Sequence, residues 1–169
     1  MRIYLTGFMG AGKTFLGKLW AEDNSLTFFD LDLLIEEEER MSIEKIFDAY
    51  GEDYFREKEA AVLRNTDRFD NCIIACGGGT PCFFDNMHWM NKTGVTIFLD
   101  ETAENIFHHI INEKKMRPLL KSQTAESLPE FIQRKLTERL PFYTQSKFSL
   151  SADLLNRNGF NFILKQIQQ

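Results

Sequence analysis

Gly7-Phe8-Met9-Gly10-Ala11-Gly12-Lys13-Thr14, directly after the short apolar run Ile3-Tyr4-Leu5-Thr6, decides how this chain is read. It is a complete GxxxxGK[ST] pattern, set where a first strand would pass into a first helix, and that setting marks a cradle for nucleotide phosphates. Glycines permit a tight turn that aims successive N–H groups at phosphate oxygens, and the helix behind adds its positive N-terminal end. Lys13 is then expected to reach the β- and γ-phosphates and the Thr14 hydroxyl to bind Mg²⁺, with Gly10, Ala11, Gly12 and Phe15 completing the nucleotide contacts. A glycine-rich turn with no ligand is the plainer alternative.

Outward from this loop, strand-like runs recur at Arg2 to Thr6, Leu26 to Phe29, Cys72 to Cys76, Val95 to Leu99 and Phe148 to Leu150. Helix-forming stretches lie between and after them, at Lys13 to Asp23, Leu31 to Arg40, Glu57 to Thr66, Ala103 to Lys114, Ala125 to Arg139 and Phe160 to Gln168. The alternation predicts an α/β fold, a parallel sheet with helices on both faces. Ligands of such sheets gather at the carboxyl ends of the strands, and unusual residues stand there: the glycine loop, Asp30-Leu31-Asp32, Gly77-Gly78-Gly79, and Asp153 to Asn158 with Arg157. The acidic run Glu36 to Glu39 reads as a solvated helix face.

At 169 residues, 43% hydrophobic and 27% charged, the chain suits one domain with a sizeable core, so one fold must house every substrate. A net charge of -5 gives no basic field of the kind that drives binding to nucleic acid or anionic membranes. The expected partners are therefore small molecules, with neither nucleic acid nor membrane. No leader-like segment and no run near ~18 apolar residues is present, and Cys72, Cys76 and Cys82 form an odd set better suited to free thiols than to disulfides or zinc. A cytoplasmic protein is expected, and a monomer is the default.

Three constellations carry chemistry. If Asp30 closes a strand and Asp32 opens the next helix, both carboxylates can face the cleft beside the phosphate loop, one for Mg²⁺ and one for a substrate hydroxyl, although Asp32 as a mere helix cap stays open. Three successive glycines are a costly way to make a turn, so close approach of backbone to ligand is favoured over a flexible connection. Arg56 and Arg139 can fork onto one carboxylate if they converge, yet from spacing alone each reads more readily as a surface charge. Arg117-Pro118-Leu119-Leu120 suggests a flap that brings Arg117 onto a phosphoryl group.

These segments, taken in order, resemble the shikimate kinase family over nearly the whole chain: GFMGAGKT at Gly7 to Thr14, FDLD at Phe29 to Asp32, Ile35-Glu36, GEDYFREKE at Gly51 to Glu59, GGG at Gly77 to Gly79, RPLL at Arg117 to Leu120, and RLPFY at Arg139 to Tyr143. The resemblance implies a P-loop kinase fold like that of nucleoside monophosphate kinases: three αβα layers around a five-stranded parallel sheet. It also implies a phosphate loop at 7–14, a small helical substrate-binding region at about 31–60 and a lid at about 112–124. The implied reaction is transfer of the γ-phosphoryl group of ATP to the 3-hydroxyl of shikimate, on the way to chorismate and the aromatic amino acids. Lys13, Asp32 and Arg117 are the implied catalytic residues. Thr14 and Asp30 are expected to hold Mg²⁺. Asp32, Arg56, Gly77, Gly78, Gly79 and Arg139 match shikimate-binding positions, with Phe55 and Glu59 supporting Arg56.

Two departures stand out against that pattern. Cys76 occupies a position where the family commonly has a small hydroxyl residue, and a thiol is a poor partner for Mg²⁺. Phe107-His108-His109-Ile110 lacks the arginine that the family often offers to adenine. Nucleotide stacking is then expected to rest on Arg117 and Arg157, with His109 an uncertain substitute. Another small-molecule kinase on the same scaffold, such as a gluconate kinase, and a non-catalytic nucleotide-binding module are the rival readings.

Overall fold

Each of the five apolar runs forms a strand in the computed structural model, which describes residues 1–112, 124 and 126–167. The strands are β1 (Arg2–Thr6), β2 (Thr27–Asp30), β3 (Cys72–Ala75), β4 (Val95–Asp100) and β5 (Phe148–Ser151). They lie in the order β2-β3-β1-β4-β5, and every pairing is parallel. A parallel sheet buried on both faces needs apolar residues on both sides of each strand, which is why the runs are continuous rather than alternating.

The side chains then divide by strand period. Ile3 and Leu5 join Ile73, Ile97 and Leu150 on one face, against Leu16 and Trp20 of α1 (Lys13–Asp23) and Phe160 and Ile163 of α7 (Gly159–Ile167). Tyr4, Cys72 and Ile74 point the other way, against α2 (Leu31–Glu39), α3 (Ile43–Asn65) and α4 (Asn86–Thr93). The three layers αβα are thus a consequence of a two-residue period placed on a parallel sheet. A third cluster seats the phosphate loop: Phe8 and Met9 pack with Ile106 and Ile110 of α5 (Ala103–Asn112) and with Leu128, Phe131 and Ile132 of α6 (Leu128–Tyr143).

Two helices depart by several residues from their expected bounds, and one, α4, has no counterpart among the expected stretches. α3 begins at Ile43 rather than Glu57, because Ser42 caps it by accepting from the Lys45 N–H, and the chain continues through a kink at Gly51 (φ 81°, ψ 177°). A side chain is disfavoured in that left-handed conformation, so glycine lets one long element change direction and still carry Arg56 inward. α4 has weak helical patterning; Met87 and Met90 are held in the core and Trp89 packs edge-on against Tyr4. α6 starts at Leu128 rather than Ala125 and runs beyond Arg139, through Pro141, to Tyr143.

Candidate active site

The loop Gly7–Gly12 leaves β1 and enters α1, as its glycines and the Lys-Thr pair require. Lys13 is buried and folded back over the loop, its Nζ donating to the carbonyl oxygens of Gly7 (2.8 Å) and Phe8 (2.7 Å). Thr14 Oγ1 donates to Asp30 Oδ2 at 2.8 Å. Asp30 is the cap of α2, since its Oδ1 accepts from the Asp32 N–H at 3.1 Å. The capping role considered for Asp32 thus belongs to Asp30, and Asp32 lies in the first turn of the helix. Phe15 is mostly solvent-facing, at 71% exposed.

Opposite the loop, the three glycines are a meeting point of side chains. None of them has the left-handed φ that demands glycine, so the reason for them is space. A Cβ on Gly79 would stand 2.6 Å from Arg56 Nη2, and one on Gly77 would stand 2.8 Å from Glu59 Oε1 and 3.2 Å from Asp32 Oδ1. On Gly78 it would meet the Met9 nitrogen at 3.0 Å and Arg139 Nη1 at 3.4 Å. Asp32, Arg56, Arg139 and the phosphate loop therefore converge on one stretch of bare backbone. Charged side chains of the protein itself pack close against these glycines.

The two arginines are both buried, which spacing alone did not require, and they differ in their partners. Arg56 is enclosed by carboxylates: its Nε and Nη2 donate to Glu52 Oε1 at 3.1 and 2.9 Å, and its Nη1 donates to Glu59 Oε2 at 2.9 Å. Glu59, fully buried, takes a further hydrogen bond from Thr80 Oγ1 at 2.6 Å, and the ring of Phe83 lies 4.2 Å from the Arg56 guanidinium carbon. Arg139, by contrast, has a buried Nη1 with no hydrogen-bond partner among the described residues. A buried donor of that kind is costly unless a ligand satisfies it. Tyr143, one turn further along α6, donates its hydroxyl to the Gly78 carbonyl at 2.5 Å, and burial pushes that phenol above its ordinary range. Cys82 lies nearby, its thiol pushed up to about 11 by burial although Arg139 and Arg56 act the other way.

Other expected residues are placed elsewhere. Arg157, expected to stack on adenine, pairs with Asp23 in the last turn of α1, a rise of about 15 Å along that helix from Lys13. Its exposed guanidinium finds an anion at that helix end. Arg117, and the expected lid around it, lie outside the described residues. Cys76 turns into the core, its thiol 3.6 Å from Met90 Sδ, and burial raises its pKa far above 9.0. Burial against Met90 explains how a thiol is accommodated there: it is a small apolar filler. Glu52, Thr80 and Tyr143 are the site residues that sequence reasoning left without a role. The spacing Glu52-Arg56-Glu59 was a usable signal, because i, i+3 and i, i+4 neighbours share a helix face.

Comparison with known proteins bears on the family and the fold. Residues 9–168 match the family model described as shikimate kinase. A shikimate kinase of Phocaeicola vulgatus is 46% identical over 154 residues, covering 91% of this chain and 88% of that protein. The crystal structure of shikimate kinase from Bacteroides thetaiotaomicron superposes with a TM-score of 0.89 at 41% identity, covering 99% and 96% of the two chains. The Acinetobacter baumannii shikimate kinase, solved in complex with shikimate, gives a TM-score of 0.87 at 29% identity, covering 98% and 93%.

Proposed function

The chain belongs to the shikimate kinase family, and from that premise we propose how its residues divide the work of phosphorylating shikimate with ATP. The reaction joins the 3-hydroxyl oxygen of shikimate to the γ-phosphorus of ATP, breaks the bond to the β–γ bridging oxygen, and releases ADP and the hydroxyl proton. Arg56 and Arg139 hold the shikimate carboxylate, and Asp32 accepts a hydrogen bond from the attacking hydroxyl and takes its proton late. The convergence of these three side chains on Gly77 to Gly79, beside the phosphate loop, is the observation that carries the reading. An unpartnered buried Arg139 Nη1 is the feature a carboxylate would complete.

On the donor side, Lys13 neutralises charge on the β- and γ-phosphates while the Gly10, Ala11 and Gly12 amides cradle them. Phosphoryl transfer asks mainly for positioning and charge neutralisation, which this arrangement supplies without a strong base. Mg²⁺ fits the donor chemistry: Thr14 Oγ1 and Asp30 Oδ2, both hard oxygens, lie 2.8 Å apart, and Mg²⁺ needs few protein ligands when phosphates and water complete its shell. When bound it would neutralise phosphate charge there. Arg117 is assigned a phosphate contact by its place in the RPLL motif. Arg157 is assigned adenine stacking together with Arg117, and Phe15 a contact with the nucleotide.

The chain acts as a single domain and a cytoplasmic monomer in this reading. Among the described residues no helix is long and apolar enough to cross a membrane. A coupled ADP-release assay with ATP, Mg²⁺ and either shikimate or gluconate tests the acceptor. Turnover with shikimate alone is expected, and preferential turnover of gluconate would overturn it.

A further inference from the structure

His109 was read from the sequence only as an uncertain substitute for an adenine-stacking arginine, yet its contact is with the phosphate loop itself. Its Nδ1 lies 2.7 Å from the carbonyl oxygen of Gly10. A carbonyl oxygen only accepts, so Nδ1 must carry the hydrogen, which selects one neutral tautomer or the imidazolium. A second observation places the same peptide on the same helix. Gly10 has φ +80°, and a Cβ there would stand 3.1 Å from Ile110 Cγ1 and 3.3 Å from the Ile106 carbonyl oxygen. The apex of the loop is thus seated on α5 by bare backbone and held there by one imidazole.

We propose that His109 is a positioning residue for nucleotide binding, fixing the orientation of the Gly10–Ala11 peptide. In a planar trans peptide the carbonyl and the following N–H point in opposite directions. With the Gly10 oxygen held outward by His109, the Ala11 N–H is aimed back into the loop, where the Phe8 carbonyl accepts it at 3.2 Å. The same Phe8 oxygen takes the Lys13 ammonium at 2.7 Å. The imidazole, the Ala11 amide and Lys13 therefore belong to one hydrogen-bonded chain. Losing its outer end frees the Gly10–Ala11 peptide to rotate, so an incoming phosphate meets an amide it must first reorient.

The inference rests on the nucleotide reading of Gly7 to Thr14, and its test is ATP binding measured by calorimetry without any acceptor. A wrong acceptor would instead show as absent turnover of shikimate by the unaltered protein. His109→Ala is expected to raise the Kd for ATP by about three- to tenfold, the loss of one hydrogen bond, with the Kd for shikimate and the Tm unchanged. His109→Asn is expected to restore ATP affinity to within about twofold, because Asn carries Nδ2 on Cγ where imidazole carries Nδ1. Equal weakening by both variants, an unchanged Kd in His109→Ala, or parallel loss of ATP affinity, shikimate affinity and Tm would each overturn the assignment.

Discussion

The phosphate cradle is built from consecutive residues, Gly7 to Thr14, whereas the pocket proposed for the acid draws Asp32, Arg56, the triple glycine and Arg139 from separate elements of the fold. The cradle engages its own polar groups, with Lys13 on the Gly7 and Phe8 carbonyls and Thr14 on Asp30. The pocket is polarised: Arg56 is matched by Glu52 and Glu59, while Arg139 Nη1 is buried with no hydrogen-bond partner among the described residues. The lesson is that two buried arginines beside the same glycines can have different surroundings. Arg56 is part of a folded ion network, and Arg139 Nη1 is left with no hydrogen-bond partner among the described residues.

The largest effect is expected at Lys13. Lys13→Met should lower kcat by at least ~100-fold if this ammonium stabilises charge developing on the phosphates, with the KM for shikimate little changed. Near-normal steady-state turnover would remove the cradle from the chemistry.

The two arginines offer a sharper comparison. Arg139→Ala and Arg56→Ala should each lower kcat/KM for shikimate by about 10- to 100-fold with nucleotide affinity nearly intact, as expected for lost charge-assisted hydrogen bonds. Only Arg56→Ala should also destabilise the fold, by ~3 kcal/mol, because it strands buried Glu59 without its cation. Equal Tm losses in the two variants would erase the distinction.

Gly79→Ala tests the space between the halves. The added methyl, within 3 Å of Arg56 Nη1, Nη2 and Cζ, should displace that side chain, cost ~1–3 kcal/mol in chemical denaturation and raise the KM for shikimate more than that for ATP.

The smallest effect is expected at Cys76, whose buried thiol contacts Met90. Cys76→Ser should change kcat by less than about twofold while costing ~1 kcal/mol for a hydroxyl in an apolar site. A large loss of Mg²⁺-dependent turnover would instead put this residue at the metal. Burial raises both the Cys76 and Tyr143 pKa values, so the folded chain keeps protons that the unfolded chain releases. Stability should be fully present below the ordinary thiol value of 9.0 and fall as pH rises above it, which Tm measurements across alkaline pH would reveal. A flat profile would contradict that burial.

Much of this was legible in advance because it is local. The strand runs, the cradle and α1 follow from patterns confined to a few neighbours: apolar continuity, glycine spacing and helix composition. The half of α3 before Gly51 was missed because glycine usually ends a helix, and here it bends one. α4 was missed because Met87, Met90 and Trp89 take their places from contacts with Tyr4 and the sheet, not from their own spacing. The pairing of Arg157 with Asp23 was not legible either, because the two lie on separate elements far apart in the chain.

From the sequence alone came the parallel α/β architecture, the nucleotide loop, and the residue types of an acid-binding kinase, since backbone conformation and burial pattern are written in short-range chemistry. Only tertiary structure decided that Asp30 caps while Asp32 remains with the pocket, that Arg56 is paired with carboxylates while Arg139 Nη1 has no hydrogen-bond partner among the described residues, and that His109 holds the loop it follows by ninety-nine positions. Those outcomes depend on which distant groups meet at 3 Å in a site shielded from water. There a single partner, present or missing, sets what a charge can do.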